Sequence, residues 1–309
     1  MHVAVCIVGF RNVEDVRGCL AALAQSTHTD FHVVICENGG DAAYEALVAD
    51  TKPALPGGQK VTIVNAGANL GYAGGVNRAM AEALDADAWW VLNPDTEAEP
   101  GAMAALVARL ARGDCDAVGG SIHLPDGTVQ SHGGRWQASL GRAVSMGYGS
   151  PSGAEVDAAA IEREQSFLSG ACMLIGRRFL EVVGPMREDY FLYCEEVEWC
   201  LRGRIRGARL GFAPQARVMH RAGSTTGSHN AFKRMPRIPV YLNERNKILL
   251  TRDLWPGMVP VVAVGALGVI AARFGRRGAW RQMGFALSGW LAGLANRRGA
   301  PHWIPSAPA

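Results

Sequence analysis

The sequence predicts an α/β protein built on a doubly wound, mostly parallel sheet, followed by a C-terminal helical hairpin. Three observations predict it. Short apolar runs at 3–10, 31–36, 61–64 and 88–92 are separated by stretches of helical period, the pattern of successive βαβ units. The connections are short, as crossovers in such sheets are. Several runs also end abruptly in polar or glycine-rich turns, and open α/β sheets bind ligands at that rim.

Length and composition narrow the class. A chain of 309 residues holds one large α/β domain and an appendage with a sizeable core. A formal net charge of +3 is too small to argue for a nucleic-acid partner. Its distribution is uneven, with acids gathered at 181–198 and Arg and Lys dominating from 202 onward. Seven cysteines lie scattered without a Cys-x-x-Cys pair, which argues for a reducing compartment and against a disulfide framework. The strand pattern opening at Val3 carries no basic leader or cleavage site, so the main body is expected on the cytosolic side.

Val3 to Phe10 reads as a buried parallel strand, with Arg11-Asn12 in the loop after it. Asn12 or Glu14-Asp15 opens a helix whose Val16, Cys19, Leu20 and Leu23 share one face. Phe31 to Cys36 is the second strand and ends in Glu37-Asn38-Gly39-Gly40. A carboxylate before a flexible turn suits a base or ribose contact; an ordinary Asn-Gly turn is the plainer alternative. Val61 to Val64 is a short third strand. Asn69-Leu70-Gly71-Tyr72-Ala73-Gly74-Gly75-Val76-Asn77-Arg78 then reads as a glycine-rich approach to a helix over Ala79 to Leu84, with free N–H groups for anionic oxygens. Its spacing matches neither Gly-x-Gly-x-x-Gly nor a P-loop, which excludes both fingerprints.

Ala88-Trp89-Trp90-Val91-Leu92-Asn93-Pro94-Asp95 is the stretch that organises the chain. Pro94 cannot donate to a ladder and pushes Asn93 toward extended backbone, so the strand stops there and Asp95 reaches the rim. A carboxylate at that place suits a divalent cation carrying a diphosphate. The alternative is a cap for a helix beginning near Pro100. After a helix over 101–112 the texture changes, and 120–165 reads as a β-rich insertion near the active face, with a hairpin turn at Pro125-Asp126-Gly127-Thr128. His123 and His132, within it, are expected at the surface. Gln165 to Ile175 reads as another buried strand, whose Ser169-Gly170 lets a sugar ring pass close to the backbone, and Arg177 to Val183 as a helix stopped by Gly184-Pro185.

The second informative stretch is Phe191-Leu192-Tyr193-Cys194-Glu195-Glu196-Val197-Glu198. Carboxylates among aromatic residues are raised in pKa toward the range useful to a general base. The same acids also favour the N-terminus of a helix running to about Arg206. Glu198 is expected to be structural and Glu196 catalytic. After a strand at Arg209 to Phe212, His220 ends an apolar run and is followed by Arg221-Ala222-Gly223-Ser224-Thr225-Thr226-Gly227, a setting that suits a metal–diphosphate site.

Taken together, five blocks resemble the family 2 glycosyltransferases, in the rhamnosyltransferase-like branch. They are Val34 to Gly39, Asn69 to Asn77, Leu92 to Asp95, Phe191 to Arg202, and His220 to Ser224, and the resemblance spans about 3–250. It implies a GT-A fold and inverting transfer from a nucleoside-diphosphate sugar with Mn²⁺ or Mg²⁺. Glu37 matches the acid that contacts the pyrimidine base. Asp95 matches the last carboxylate of the Asp-x-Asp metal motif, with Asn93 at its first position, and His220 matches the metal-binding histidine. Glu196 matches the second residue of the acidic pair, taken as the base, with Glu195 the other candidate. The resemblance further implies nucleotide-sugar contacts from Phe10, Asn12, Asn38, Asn69, Gly74, Asn77, Asn93, Ser169, Gly170 and Arg221. Arg221 and the Ser224–Thr226 loop are expected to close over the phosphates. Donor candidates are dTDP- or UDP-linked rhamnose or a related sugar, and the acceptor is a glycan or lipid-linked sugar of cell-envelope polysaccharide.

The catalytic domain is expected over 1–235 and a helical region over 236–309. A helix begins near Tyr241 after a Pro236–Pro239 linker. Leu254 to Ala272 is apolar and runs into Arg273, Arg276 and Arg277, and Trp280 to Leu294 is amphipathic. Two such helices with a basic turn fit an interfacial hairpin over 254–298 on an anionic membrane, peripheral on its inner face. A hairpin packed over the catalytic body, or a homo-oligomer interface, fits as well. Two other functions stay open: an inactive glycosyltransferase-like subunit, favoured by Asn93, and a sugar-nucleotidyltransferase, disfavoured because Gly9-Phe10-Arg11-Asn12 supplies no glycine-rich basic loop.

Overall fold

The computed structural model describes residues 1–221 and 232–304. Its first half alternates β1 (Val3–Gly9), α1 (Val13–Leu23), β2 (Phe31–Glu37), α2 (Asp41–Asp50), β3 (Val61–Asn65), α3 (Gly71–Ala81), β4 (Ala88–Leu92), β5 (Thr96–Ala98) and α4 (Ala102–Leu110). Then come β6 (Ala117–His123), β7 (Val129–Ser131), β8 (Gly134–Gln137), β9 (Arg142–Ser145), α5 (Ala158–Glu164), β10 (Cys172–Gly176), α6 (Arg177–Val183), α7 (Glu195–Ile205) and β11 (Leu210–His220). Three helices follow: α8 (Arg237–Leu254), α9 (Val259–Phe274) and α10 (Trp280–Leu294).

The main sheet has the order β3-β2-β1-β4-β10-β6-β11-β5, with β7 beside β6. Alternate residues of each strand serve opposite cores. On β1, Val3, Val5 and Ile7 meet Val16, Leu20 and Leu23 of α1, while Ala4 and Cys6 belong to the face covered by α3, α6 and α7. Both faces are therefore apolar, which is why the strands read as continuous runs. Trp90 is fully buried in the middle strand, and its truncation to Ala would cost about 3–5 kcal/mol.

The parallel expectation holds for β3-β2-β1-β4. It fails at β10, which runs antiparallel between β4 and β6, because the chain after β6 stays at the rim and re-enters the sheet from that end. An apolar run encodes burial and carries no direction. The strand expected from Gln165 begins only at Cys172. Residues 120–123 complete β6 of the central sheet, so the departure from the sheet starts after His123. His123 and His132 are buried, correcting their expected surface placement; Ser121 Oγ lies 2.8 Å from His123 Nε2 and 3.0 Å from His132 Nδ1. The 125–128 turn forms as expected, with Asp126 Oδ1 accepting from Thr128 N at 3.0 Å.

Two helix starts also differ from expectation. α3 begins at Gly71, so the glycine-rich stretch is itself helical. Its glycines allow close packing: a Cβ on Gly75 would lie 2.6 Å from Val8, and one on Gly71, at φ +72°, would lie 2.0 Å from the Phe191 carbonyl oxygen. α8 begins at Arg237, with Pro239 tolerated in its first turn, where a missing N–H leaves no helix bond unmade. Leu249 and Leu250 of α8 join the core shared with α3, α6 and α7, so this helix packs against the α/β body. The stretch Pro256–Arg277, containing α9, spans 22 residues and is long and apolar enough to cross a membrane; its most apolar window has mean hydropathy 1.9 and is 28% buried.

Candidate active site

The carboxyl ends of β1, β2, β4, β6 and β11 meet at one rim. Register does this: His220 lies across from Thr96, the residue after Asp95. Asp95 Oδ1 stands 3.0 Å from His220 Nε2, and both side chains are buried. Asn93 Nδ2 lies 3.4 Å from the same imidazole nitrogen. On the other side of the ring, His220 Nδ1 is 2.8 Å from Gln130 Oε1. The ring is thus held between an amide oxygen and a carboxylate, which sets an imidazole nitrogen and a hard oxygen side by side at the rim. The helix that follows starts at Ala102 with Gly101 before it, so the capping alternative for Asp95 is set aside.

A second cluster surrounds the end of β2. Glu37 is buried, and its Oε1 accepts from the N–H groups of Arg11 at 3.0 Å and Gly39 at 2.7 Å. Burial raises its pKa in spite of these two donors. Asn12 Oδ1 accepts from Phe10 N at 2.9 Å, while its buried Nδ2 has no hydrogen-bond partner. A carboxylate and an orphaned amide donor thus sit together beside the half-buried Phe10 ring.

The third cluster is the acid pair. Glu195 is 2% exposed, its Oε2 has no hydrogen-bond partner, and burial followed by the charge of Glu196 pushes its pKa up to about 8. Burial raises Glu196 as well, and this side chain is the more open of the two. Glu198 is fully buried and bound by Arg202 Nε at 2.7 Å, the structural role expected of it. Removing one partner of such a pair would cost about 3–5 kcal/mol. Immediately before the pair, Phe191, Tyr193 and Cys194 have φ of 68°, 72° and 69°. Left-handed backbone costs non-glycine residues on the order of 1–3 kcal/mol each and persists only where surrounding contacts over-determine it.

Tyr72 joins these clusters, although its place in the glycine-rich stretch assigned it no role. Its hydroxyl donates to Gly170 O at 2.6 Å, and burial with the charges of Glu196, Glu195 and Asp95 raises its phenol. A Cβ on Gly170 would lie 3.2 Å from that hydroxyl, a tight contact. Gln130 was also missed, because a glutamine in a short strand carries no motif.

Other expected residues are placed differently. Asn38 donates to Gly71 O at 2.7 Å and Asn69 Oδ1 accepts from Gly71 N at 3.0 Å, so both fix the start of α3. Gly74 lies buried within α3. Asn77 uses its amide on Met186 and Glu188, away from a ligand role. Ser169 Oγ accepts from Ala171 N. Arg221 is exposed and pairs with Glu97. The Ser224–Thr226 loop lies outside the described residues. Among the described residues no group of three or more His, Cys, Asp or Glu side chains is placed to hold a metal ion, so Asp95 and His220 stand as a pair.

Comparison with known proteins gives the family and the fold. The family model "Glycosyltransferase like family 2" matches residues 2–238. The chain is 30% identical over 227 residues to the N-acetylglucosaminyl-diphospho-decaprenol L-rhamnosyltransferase of Mycobacterium tuberculosis, covering 67% of this chain and 72% of that protein. It is 24% identical over 246 residues to the low-salt glycan biosynthesis hexosyltransferase Agl10 of Haloferax volcanii, covering 77% of each. Among solved structures, the mannosyltransferase PcManGT from Pyrobaculum calidifontis, in complex with GDP-Man and Mn²⁺, superposes with TM-score 0.56 at 13% identity, covering 96% of this chain and 88% of that one. GalNAc-T7 with UDP, GalNAc and Mn²⁺ superposes with TM-score 0.64 at 15% identity, covering 88% of this chain and 51% of that one. At such identities the superpositions speak for the GT-A fold alone. The match over residues 2–238 and the 30% identity to a curated relative place this chain in glycosyltransferase family 2.

Proposed function

We propose that this enzyme transfers rhamnose or a related sugar, with inversion, from a dTDP- or UDP-sugar to a glycan or lipid-linked acceptor in cell-envelope polysaccharide synthesis. The observation that carries the reading is the convergence on one rim of three unlike groups: Glu37 with Asn12, Asp95 with His220, and the buried acid pair Glu195-Glu196. The similarity to a decaprenol-linked rhamnosyltransferase supports the choice of sugar and acceptor class.

Each cluster has a task in such a transfer. Glu37 accepts from a pyrimidine N–H, the Asn12 amide donates to a ring carbonyl, and Phe10 flanks the ring. Asp95 Oδ1 and His220 Nε2 are a hard oxygen and an imidazole nitrogen, a donor set that suits Mn²⁺ or Mg²⁺. Asp95 and His220 would hold the cation, which would neutralise charge developing on the departing diphosphate. Glu196 takes the proton of the acceptor hydroxyl as its oxygen bonds to the anomeric carbon and the bond to the diphosphate breaks on the opposite face. Glu195, pushed up to about 8, resists carrying a second negative charge in the site, which leaves the more open Glu196 for the proton transfer.

The reading extends to the tail. The outer side of α9 exposes Val261, Val264 and Leu267, and Trp280 and Leu291 are exposed on α10. Arg276, Arg277 and Arg281 lie exposed at the turn between the helices. An uncharged outer stripe beside clustered arginines fits an anionic membrane surface on the inner face of the cell membrane, where lipid-linked acceptors are held.

The test is thermal stability against a panel of nucleoside diphosphates with and without Mn²⁺, followed by transfer from the best-matched sugar nucleotide. A metal-dependent shift with dTDP or UDP, and sugar release into a lipid-linked product, are expected. No shift with any nucleotide would sink the donor site and leave the inactive-subunit reading.

A further inference from the structure

We propose that Asn246 and Arg245 of α8 are positioning residues, which hold the loop from Tyr190 to Cys194 in the left-handed shape that aims Glu195 and Glu196. This rests on the reading of that pair as the base of a transferase. The loop contains no glycine, yet Phe191, Tyr193 and Cys194 all have positive φ. Something outside the loop must impose that shape.

The hydrogen bonds identify it. Four consecutive carbonyls, from Tyr190 to Tyr193, accept from other elements. Asn246 Nδ2 lies 3.1 Å from Tyr190 O, 2.8 Å from Leu192 O and 2.7 Å from Tyr193 O. Arg245 Nη2 donates to Tyr190 O at 2.7 Å, and the N–H of Tyr72 donates to Phe191 O at 2.8 Å. The orientation of the Asn246 amide is fixed, because Arg245 Nε donates to its Oδ1 at 2.8 Å and leaves Nδ2 for the carbonyls. Arg245 in turn reaches Gly299 O through Nη1 at 2.7 Å, so the chain after α10 joins the same support. Both side chains are essentially unexposed.

Docking of α8 does not require these polar groups, since Ile248, Leu249 and Leu250 already bury its apolar side. What Asn246 adds is a local conformation. Cys194 is the last residue before α7, so its left-handed backbone sets the direction in which the helix and its first two residues leave the loop. An acid displaced by an ångström no longer meets the acceptor proton, which is a loss of turnover without loss of donor binding.

The test uses the full chain with Asn246→Ala alone and combined with Cys194→Gly. Asn246→Ala is expected to lower kcat by about 10- to 100-fold while donor KM and the nucleotide-induced thermal shift stay within about twofold. Iodoacetamide labelling of Cys194, read by peptide mapping, is expected to accelerate while the six buried cysteines stay protected. Adding Cys194→Gly is expected to restore most of the lost kcat, because glycine adopts positive φ unaided; a general loss of stability would instead worsen. Should Asn246→Ala not fold, Asn246→Ser, which keeps one donor, is expected to show an intermediate kcat. Unchanged kcat, or a raised donor KM with kcat intact, would overturn the proposal. If the wild type transfers no sugar from any donor, the transferase reading fails by itself. The labelling still decides the clamp, and an unchanged rate at Cys194 rules it out.

Discussion

Asp95 and His220, 125 positions apart in sequence, face each other at 3.0 Å across the ends of two elements, with Gln130 holding the far side of the imidazole at 2.8 Å. Asp95→Ala is expected to abolish the Mn²⁺-dependent part of the nucleotide thermal shift. Gln130→Leu keeps both facing groups and removes the hydrogen bond that orients the ring, so the Mn²⁺ concentration for half-maximal shift should rise by about 10-fold or more. An unaltered Mn²⁺ titration in Gln130→Leu would remove Gln130 from the site.

The two members of the acid pair should separate in kinetics. Glu196→Gln is expected to lower kcat by roughly 100-fold or more, as loss of a general base does, with donor binding retained. If Glu195→Gln shows the large loss and Glu196→Gln does not, the assignment within the pair is reversed.

Glu195 also makes a stability prediction. Its pKa is pushed up to about 8 from an ordinary value of 4.5. A carboxyl raised on folding contributes stability that is complete below pH 4.5 and is lost as pH rises through 8. Glu195→Gln should therefore lose less Tm than the wild type between pH 6 and 9. At pH 9 it should melt higher by roughly 2 °C or more, since about 1 kcal/mol moves Tm by that amount in a chain of this size. Parallel Tm profiles for the two proteins would contradict the buried, protonated state.

The acid limb has another origin. Burial pushes His123 down to about 4 and lowers His132 as well. A histidine depressed on folding stabilises the protein above its unfolded pKa near 6.5 and withdraws that stability as pH falls toward 4. Urea midpoints should drop across that window, and His123→Gln should flatten the drop. The flattening should appear without effect on nucleotide binding at pH 7.5.

For the tail, sedimentation with phosphatidylglycerol vesicles is the direct measurement. Arg276→Glu with Arg277→Glu should weaken binding by about 10-fold or more, at roughly 1 kcal/mol for each basic residue. Val264→Glu should do the same through the apolar stripe. Equal sedimentation of all three proteins would assign the exposed face to some other partner.

Much of the fold was legible because burial on two faces writes itself into sequence. The runs at 3–10, 33–36 and 88–92 are apolar at every position, as strands of a sheet covered on both faces are. α1, α6 and α10 could be read from their spacing and stop signals for the same local reason. The site was legible where chemistry is local: Glu37 before a glycine turn, Asp95 after Pro94, acids at the head of α7. His123 and His132 were misplaced because a lone histidine in a polar stretch carries no burial signal until β6 enters the sheet. Asn77 and Arg221 matched motif positions, yet their partners, Met186, Glu188 and Glu97, come from other parts of the chain.

By itself the sequence determined the layered α/β class, the strands that end in functional side chains, and the family. These follow from periodicity, proline and glycine placement, and short motifs, all of which act over a few residues. Tertiary structure alone decided the direction of β10, the helical state of the glycine-rich stretch, and the roles of Tyr72, Gln130, Arg245 and Asn246. Each of those depends on a carbonyl, a ring or a strand edge brought from a distant segment, and a left-handed loop without glycine exists only where such partners hold it.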